Sequence, residues 1–67
     1  MKMTGKIISF DGYVGKIIGL DKQEYLFFKH ELLVEVKQGD IVLFEAEIFN
    51  DLELKKNVAR FITVIKE

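Results

Sequence analysis

The sequence predicts an all-β chain of five short strands closed into a small barrel, and three observations carry that prediction. Apolar runs rich in isoleucine, valine and phenylalanine are separated by Gly, Asp and Asn, the grammar of strands and turns. One run, Val42-Phe44-Ala46-Ile48 against Leu43, Glu45 and Glu47, alternates apolar with more polar residues as a half-buried strand does. The chain has only 67 residues and no cysteine, so a small core must be closed without disulfides or thiolate-bound metal. Closing the sheet removes the exposed edges that would otherwise pair with other chains.

The elements follow in order. The first run, Lys2 to Phe10, ends at Asp11-Gly12, a pair suited to the positive φ angles of a tight type I′ hairpin turn. The second run is Tyr13 to Leu20, and Asp21-Lys22-Gln23 forms the next turn. The third, Glu24 to Lys29, sets Tyr25, Phe27 and Lys29 on one face and Leu26 and Phe28 on the other. His30-Glu31-Leu32-Leu33 fits one helical turn, followed by an irregular connection from Val34 to Gln38. Gly39-Asp40 opens the fourth strand, Asn50-Asp51 begins a loop, and Val58 to Ile65 forms the fifth strand. Leu52 to Lys56 is compatible with a further helical turn. An OB-type barrel needs a crossing segment between strands three and four. Residues 30–38 supply one, which favours that barrel over an SH3-like one.

Charge is unevenly distributed. Residues 1–30 carry a balance of +2 and residues 55–67 one of +3. Between them, residues 31–54 carry −6, Lys37 standing alone against Glu31, Glu35, Asp40, Glu45, Glu47, Asp51 and Glu53. The total of −1 argues against a protein that grips duplex DNA by bulk charge. One histidine, His30, excludes a multi-histidine metal centre, and no cofactor is expected. Apolar runs reach only four residues, as at Ile41–Phe44, too short to span a bilayer as a helix. Met1-Lys2-Met3-Thr4-Gly5 leads into no signal-peptide h-region. The expectation is a single domain over residues 1–67, soluble and cytoplasmic, with no membrane partner.

Four segments resemble the cold-shock domains. Gly5-Lys6-Ile7-Ile8-Ser9-Phe10 resembles their G-x-V-K-W-F opening, and Tyr25-Leu26-Phe27-Phe28-Lys29-His30 resembles V-F-V-H-F. Gly39-Asp40-Ile41-Val42-Leu43-Phe44-Glu45 resembles G-x-x-V-x-F-E, and Asn57-Val58 resembles A-x-N-V, with no gap needed between Gly39 and Asn57. The resemblance spans nearly the whole chain and implies an OB barrel that stacks nucleobases on exposed aromatic rings. The departures are specific. Ser9 stands at the family's tryptophan and Ile8 at the lysine before it. Gly12-Tyr13-Val14-Gly15-Lys16-Ile17-Ile18 replaces a K-G-F-G-F-I strand and keeps glycines and a lysine but no phenylalanine.

The candidate nucleic-acid-binding residues are Phe10, Tyr13, Tyr25 and Phe27, interleaved with Lys6, Lys16, Lys29 and His30. Single-strand binding needs flat rings in water with cations nearby, and these residues offer both. Phe27 and Lys29 match the family's binding phenylalanine and histidine. Phe27 is expected at the surface because Leu26 and Phe28 already form an apolar stripe on the opposite face. Tyr13 and Tyr25 suit either base stacking or the covering of hairpin ends, and His30 suits either stacking or a solvated loop. Phe44, Val42, Val58 and Ile62 are expected in the core, and Phe49 and Phe61 in packing. Lys55, Lys56 and Arg60 suit a solvated face better than a phosphate track. Glu45 and Glu47 share a strand face without a nucleophile–base pair or phosphate loop, so no catalysis is expected. The expected partner is single-stranded RNA or DNA, bound by stacking and phosphate contacts. The alternative is an OB-fold protein-interaction module that has lost nucleic-acid binding.

Overall fold

Five strands account for most of the chain: β1 (Lys2–Phe10), β2 (Val14–Gly19), β3 (Glu24–Phe28), β4 (Ile41–Asn50) and β5 (Lys55–Val64). The computed structural model describes residues 1–50 and 55–65. The strands close into a barrel in the order β1-β2-β3-β5-β4, with β4 returning to β1. This is the OB-type arrangement. β1 serves both halves of the barrel, pairing with β4 through Lys2–Lys6 and with β2 through Gly5–Phe10. A bulge between Ile7 and Ser9 bends it between those duties. The ladders are antiparallel except where β3 meets β5, in parallel, at Leu26 and Val58.

The segment between β3 and β4 crosses the barrel as its length required. A single 3₁₀ turn at Lys29–Glu31, one residue earlier than the expected helical turn, is closed by the Leu32 N–H donating to the Lys29 carbonyl at 3.0 Å. Leu32 then bridges to Ile62, and the Leu33 N–H donates to the Ile62 carbonyl at 2.9 Å. Arg60 clamps this segment from the barrel wall, its Nε donating to Glu31 Oε2 at 3.0 Å and its Nη1 to Glu47 Oε1 at 3.2 Å.

Ile7, Ile17, Tyr25, Phe27, Val42, Phe44, Ala46, Ala59 and Ile62 fill the barrel. The Tyr25 and Phe44 rings meet at 5.1 Å, and the half-buried Phe10 ring lies 5.4 Å from Phe27. Space for these rings comes from glycine. A Cβ on Gly15 would stand 2.5 Å from the Phe27 ring and equally close to the Ser9 carbonyl oxygen.

Four local expectations are corrected. The β1–β2 connection is a three-residue loop, 11–13, in which Gly12 alone has positive φ, at 99°. Asp11 builds it by accepting the Tyr13 and Val14 N–H groups on Oδ1, both at 2.9 Å, an alternative to the tight type I′ turn. These bonds hold the Asp11 carboxyl below its usual range. Val58 is only half-buried and lies beside Leu26 and Glu47. Phe49 and Phe61, expected in packing, are both exposed. Of the suggested turn from Leu52 to Lys56, residues 52–54 lie outside the described residues, while Lys55 and Lys56 belong to β5.

Candidate nucleic-acid interface

The β1–β3 register determines which side chains share the outer face. Cross-strand partners point the same way, so Ser9, Lys16, Leu26 and Val58 form one row across the sheet. Lys6, Ile18 and Glu24 form a second row, and Val14 and Phe28 a third. Lys16 lies at the middle of this face, with its ammonium 3.8 Å from Glu24 and both side chains largely in water. The surface mixes the cations Lys6 and Lys16 and the acid Glu24 with Ile18, Leu26 and Val58.

Tyr25 and Phe27, two of the proposed platforms, are not on this face. Both are completely buried, so neither ring can stack on a base. The reason is the pairing with β2. Gly15 lies opposite Phe27 and Ile17 opposite Tyr25, and the inward side of β2 is Gly15, Ile17 and Gly19. That side leaves room for two large rings. Tyr25 also places its hydroxyl at the barrel end, donating to Asp21 Oδ2 at 2.6 Å. Burial first, and then this bond to a carboxylate, push the Tyr25 phenol up to about 12. Asp21 in turn is held below its usual range by the phenol and by the Gln23 N–H.

Phe28 takes the exposed place on β3. Its ring, 43% exposed, stacks with His30 at 6.0 Å between centroids and 10° between planes. The His30 side chain is 75% exposed and lies 3.5 Å from Glu31 Oε2. Tyr13, 76% exposed, stands beside this pair, because its carbonyl accepts the Lys29 N–H at 2.8 Å and its neighbour Val14 pairs with Phe28. One corner of the barrel therefore gathers Tyr13, Phe28, Lys29 and His30, with Lys16 further along the face.

Of the eight proposed residues, Tyr13, Lys29 and His30 come together here, and Lys6 and Lys16 share the adjoining sheet. Phe10 is half-buried against Phe27, at the inner side of the same corner. Phe28 was missed. Its signal is the spacing of Gly15 and Gly19 in β2, small residues alternating with Lys16 and Ile18, which marks the side that large rings must fill.

No protein-family model matches this chain, and no curated protein matches it in sequence. The barrel is OB-type by its architecture alone. Among the described residues no group of three His, Cys, Asp or Glu side chains could hold a metal ion, and no helix is long and apolar enough to cross a membrane. Arg60 is held by Glu31 and Glu47.

Proposed function

We propose that this chain is a cold-shock-like OB domain that binds single-stranded RNA or DNA on the outer face of β1–β3. The observation that carries the reading is the exposed, parallel Phe28–His30 ring pair beside Tyr13. A base stacked on such a ring gains about 1–3 kcal/mol whatever its identity, because every base has a π-face. Lys16 shares the outer face with Phe28, Lys29 follows Phe28 in the chain and Lys6 lies further along the face, and these are the cations the proposal assigns to phosphates. Glu24 offsets part of that charge, so the cationic track is short and the affinity modest. Stacking uses the face of a base and not its edge, and the proposed binding is therefore tolerant of sequence. The role assigned to this surface is binding, without catalysis and with no cofactor.

The test is a chemical-shift titration with a pyrimidine-rich oligonucleotide at low salt. Shifts concentrated at Tyr13, Lys16, Phe28, Lys29 and His30 are expected. Silence at millimolar oligonucleotide, or shifts confined to the β4–β5 side, would overturn the reading.

A further inference from the structure

The last part of β4 and the first part of β5 leave the barrel together. Among the described residues, Ile48 pairs with Asn57, Phe49 with Lys56 and Asn50 with Lys55, while β1 meets β4 only as far as Glu45 and β3 meets β5 only at Val58. The result is a two-stranded ribbon continuous with the barrel wall.

The register runs unbroken into this ribbon, so its two sides are fixed. Ala46 and Ala59, an opposed pair, are buried in the barrel. The next pair, Glu47 and Val58, faces outward beside Leu26. Alternation then turns Ile48 and Asn57 inward, and the Asn57 Nδ2 donates to Gln23 Oε1 at 2.9 Å, tying that side to the β2–β3 turn. Phe49 and Lys56 come next, on the outer side. Phe49 is 54% exposed, a ring in water on the side of the sheet that carries Lys16 and Phe28.

The two rings stand at opposite ends of one surface. β3 and β5 run parallel with Leu26 beside Val58, so Lys56 lies level with Glu24, at the end of β3 away from Phe28. Phe28 and Phe49 are then separated by about 13 Å along the strands and about 10 Å across them. A strand that starts on the Phe28–His30 pair and crosses Lys16, Leu26 and Val58 meets Phe49 next. An OB fold covers about 4–16 nucleotides, so one strand reaches both rings. Lys55 and Lys56 are offset in the chain by Asp51 and Glu53, so the ribbon adds a ring to the surface rather than net charge.

We infer that Phe49 is a second stacking platform for the same single strand, at the far end of the outer face from Phe28 and His30. The inference rests on the proposed single-strand binding and adds to it a second point of contact, and hence a dependence on ligand length.

Titration with a pyrimidine dinucleotide and a pyrimidine octanucleotide tests it, read by amide shifts and by affinity. The dinucleotide should shift Tyr13, Phe28 and His30, and the octanucleotide should shift Phe49 and Lys56 as well. Phe49→Ala should weaken octanucleotide binding about tenfold, the effect of one lost stack, without lowering the melting temperature. Phe49→Leu, apolar but without a π-face, should lose as much, and Phe49→Tyr should restore binding. If the octanucleotide binds at the Phe28 corner and Phe49→Ala or Phe49→Leu binds it as tightly as the parent, the inference falls and the binding reading stands. If neither oligonucleotide shifts that corner, both fall. Concentration-dependent shifts at Phe49 without oligonucleotide assign the ring to a protein contact and also overturn the inference.

Discussion

A phenyl ring packed against a glycine and one standing in water contribute to different free energies, and β3 holds one of each in adjacent positions. Phe27 fills the space over Gly15, so Phe27→Ala leaves a cavity and should cost about 3–5 kcal/mol. That is comparable to the whole stability of so small a domain, and thermal unfolding should find it largely unfolded. Phe28→Ala removes a partly solvated ring and should cost about 1 kcal/mol or less. Its effect should instead appear in the oligonucleotide titration, as a loss of about 1–3 kcal/mol of binding. Lys22, at φ 65° in the β2–β3 turn, is a simpler case. Lys22→Gly removes the left-handed penalty and should raise stability by about 0.5–1 kcal/mol, read as a higher unfolding midpoint in urea.

At the scale of elements, the β2–β3 hairpin is fastened by the Tyr25–Asp21 hydrogen bond, and its two partners give opposite pH limits. The Tyr25 phenol is raised in the folded state to about 12, so its contribution is complete below the ordinary value of 10.0 and is lost as pH climbs towards 12. The Asp21 carboxyl is depressed, so its contribution is present above the ordinary 3.8 and is lost as pH falls through the folded value. Tyr25→Phe should abolish its share of the alkaline loss and, by removing Asp21's main hydrogen bond, weaken the acid limb as well. Stability measured against pH for both proteins checks this. In β2, Gly15→Ala should destabilise by about 1–3 kcal/mol or more, since the added methyl meets both a packed ring and a backbone oxygen. The type of each strand was legible in its alternation or its branched residues. The facing of β3 was not, because Tyr25-Leu26-Phe27-Phe28 is apolar on both sides and Lys29 already belongs to the 3₁₀ turn. A polar residue just beyond a strand does not index its faces.

For the whole molecule, closure makes the strands share neighbours: Lys6 pairs with both Ile18 and Ile41, and Val58 with both Leu26 and Glu47. In the proposed binding mode, Lys6, Lys16 and Lys29 set the salt response. Binding that neutralises about three phosphates should fall with a log–log slope near −2, since single strands give about −0.7 per contact. Titrations at several salt concentrations measure it, and a slope near zero would mean that the lysines do not meet the backbone. The charge blocks along the sequence become sides of the barrel only in part. Arg60 belongs by sequence to a basic segment, yet it is spent on Glu31 and Glu47 from the acidic one.

The sequence by itself determined the number and order of the strands, the places of the turns near Asp11-Gly12 and Asp21-Gln23, the crossing segment and the OB-type closure. Each follows from local periodicity, from residues that tolerate tight turns, and from the need of a short chain to remove its edges. It also determined that Phe44 and Ile62 are core, because their apolar stripe has a polar counterpart or a packed partner. Only the tertiary structure decided that Tyr25 and Phe27 point inward while Phe28 points out, and that Phe61 is held in solvent. Those facts depend on which residue of one strand lies opposite which residue of another. A register step of one residue reverses every side chain on a strand, and where both faces are apolar the local pattern cannot distinguish the two. The glycines of β2 break that symmetry once they lie beneath the rings.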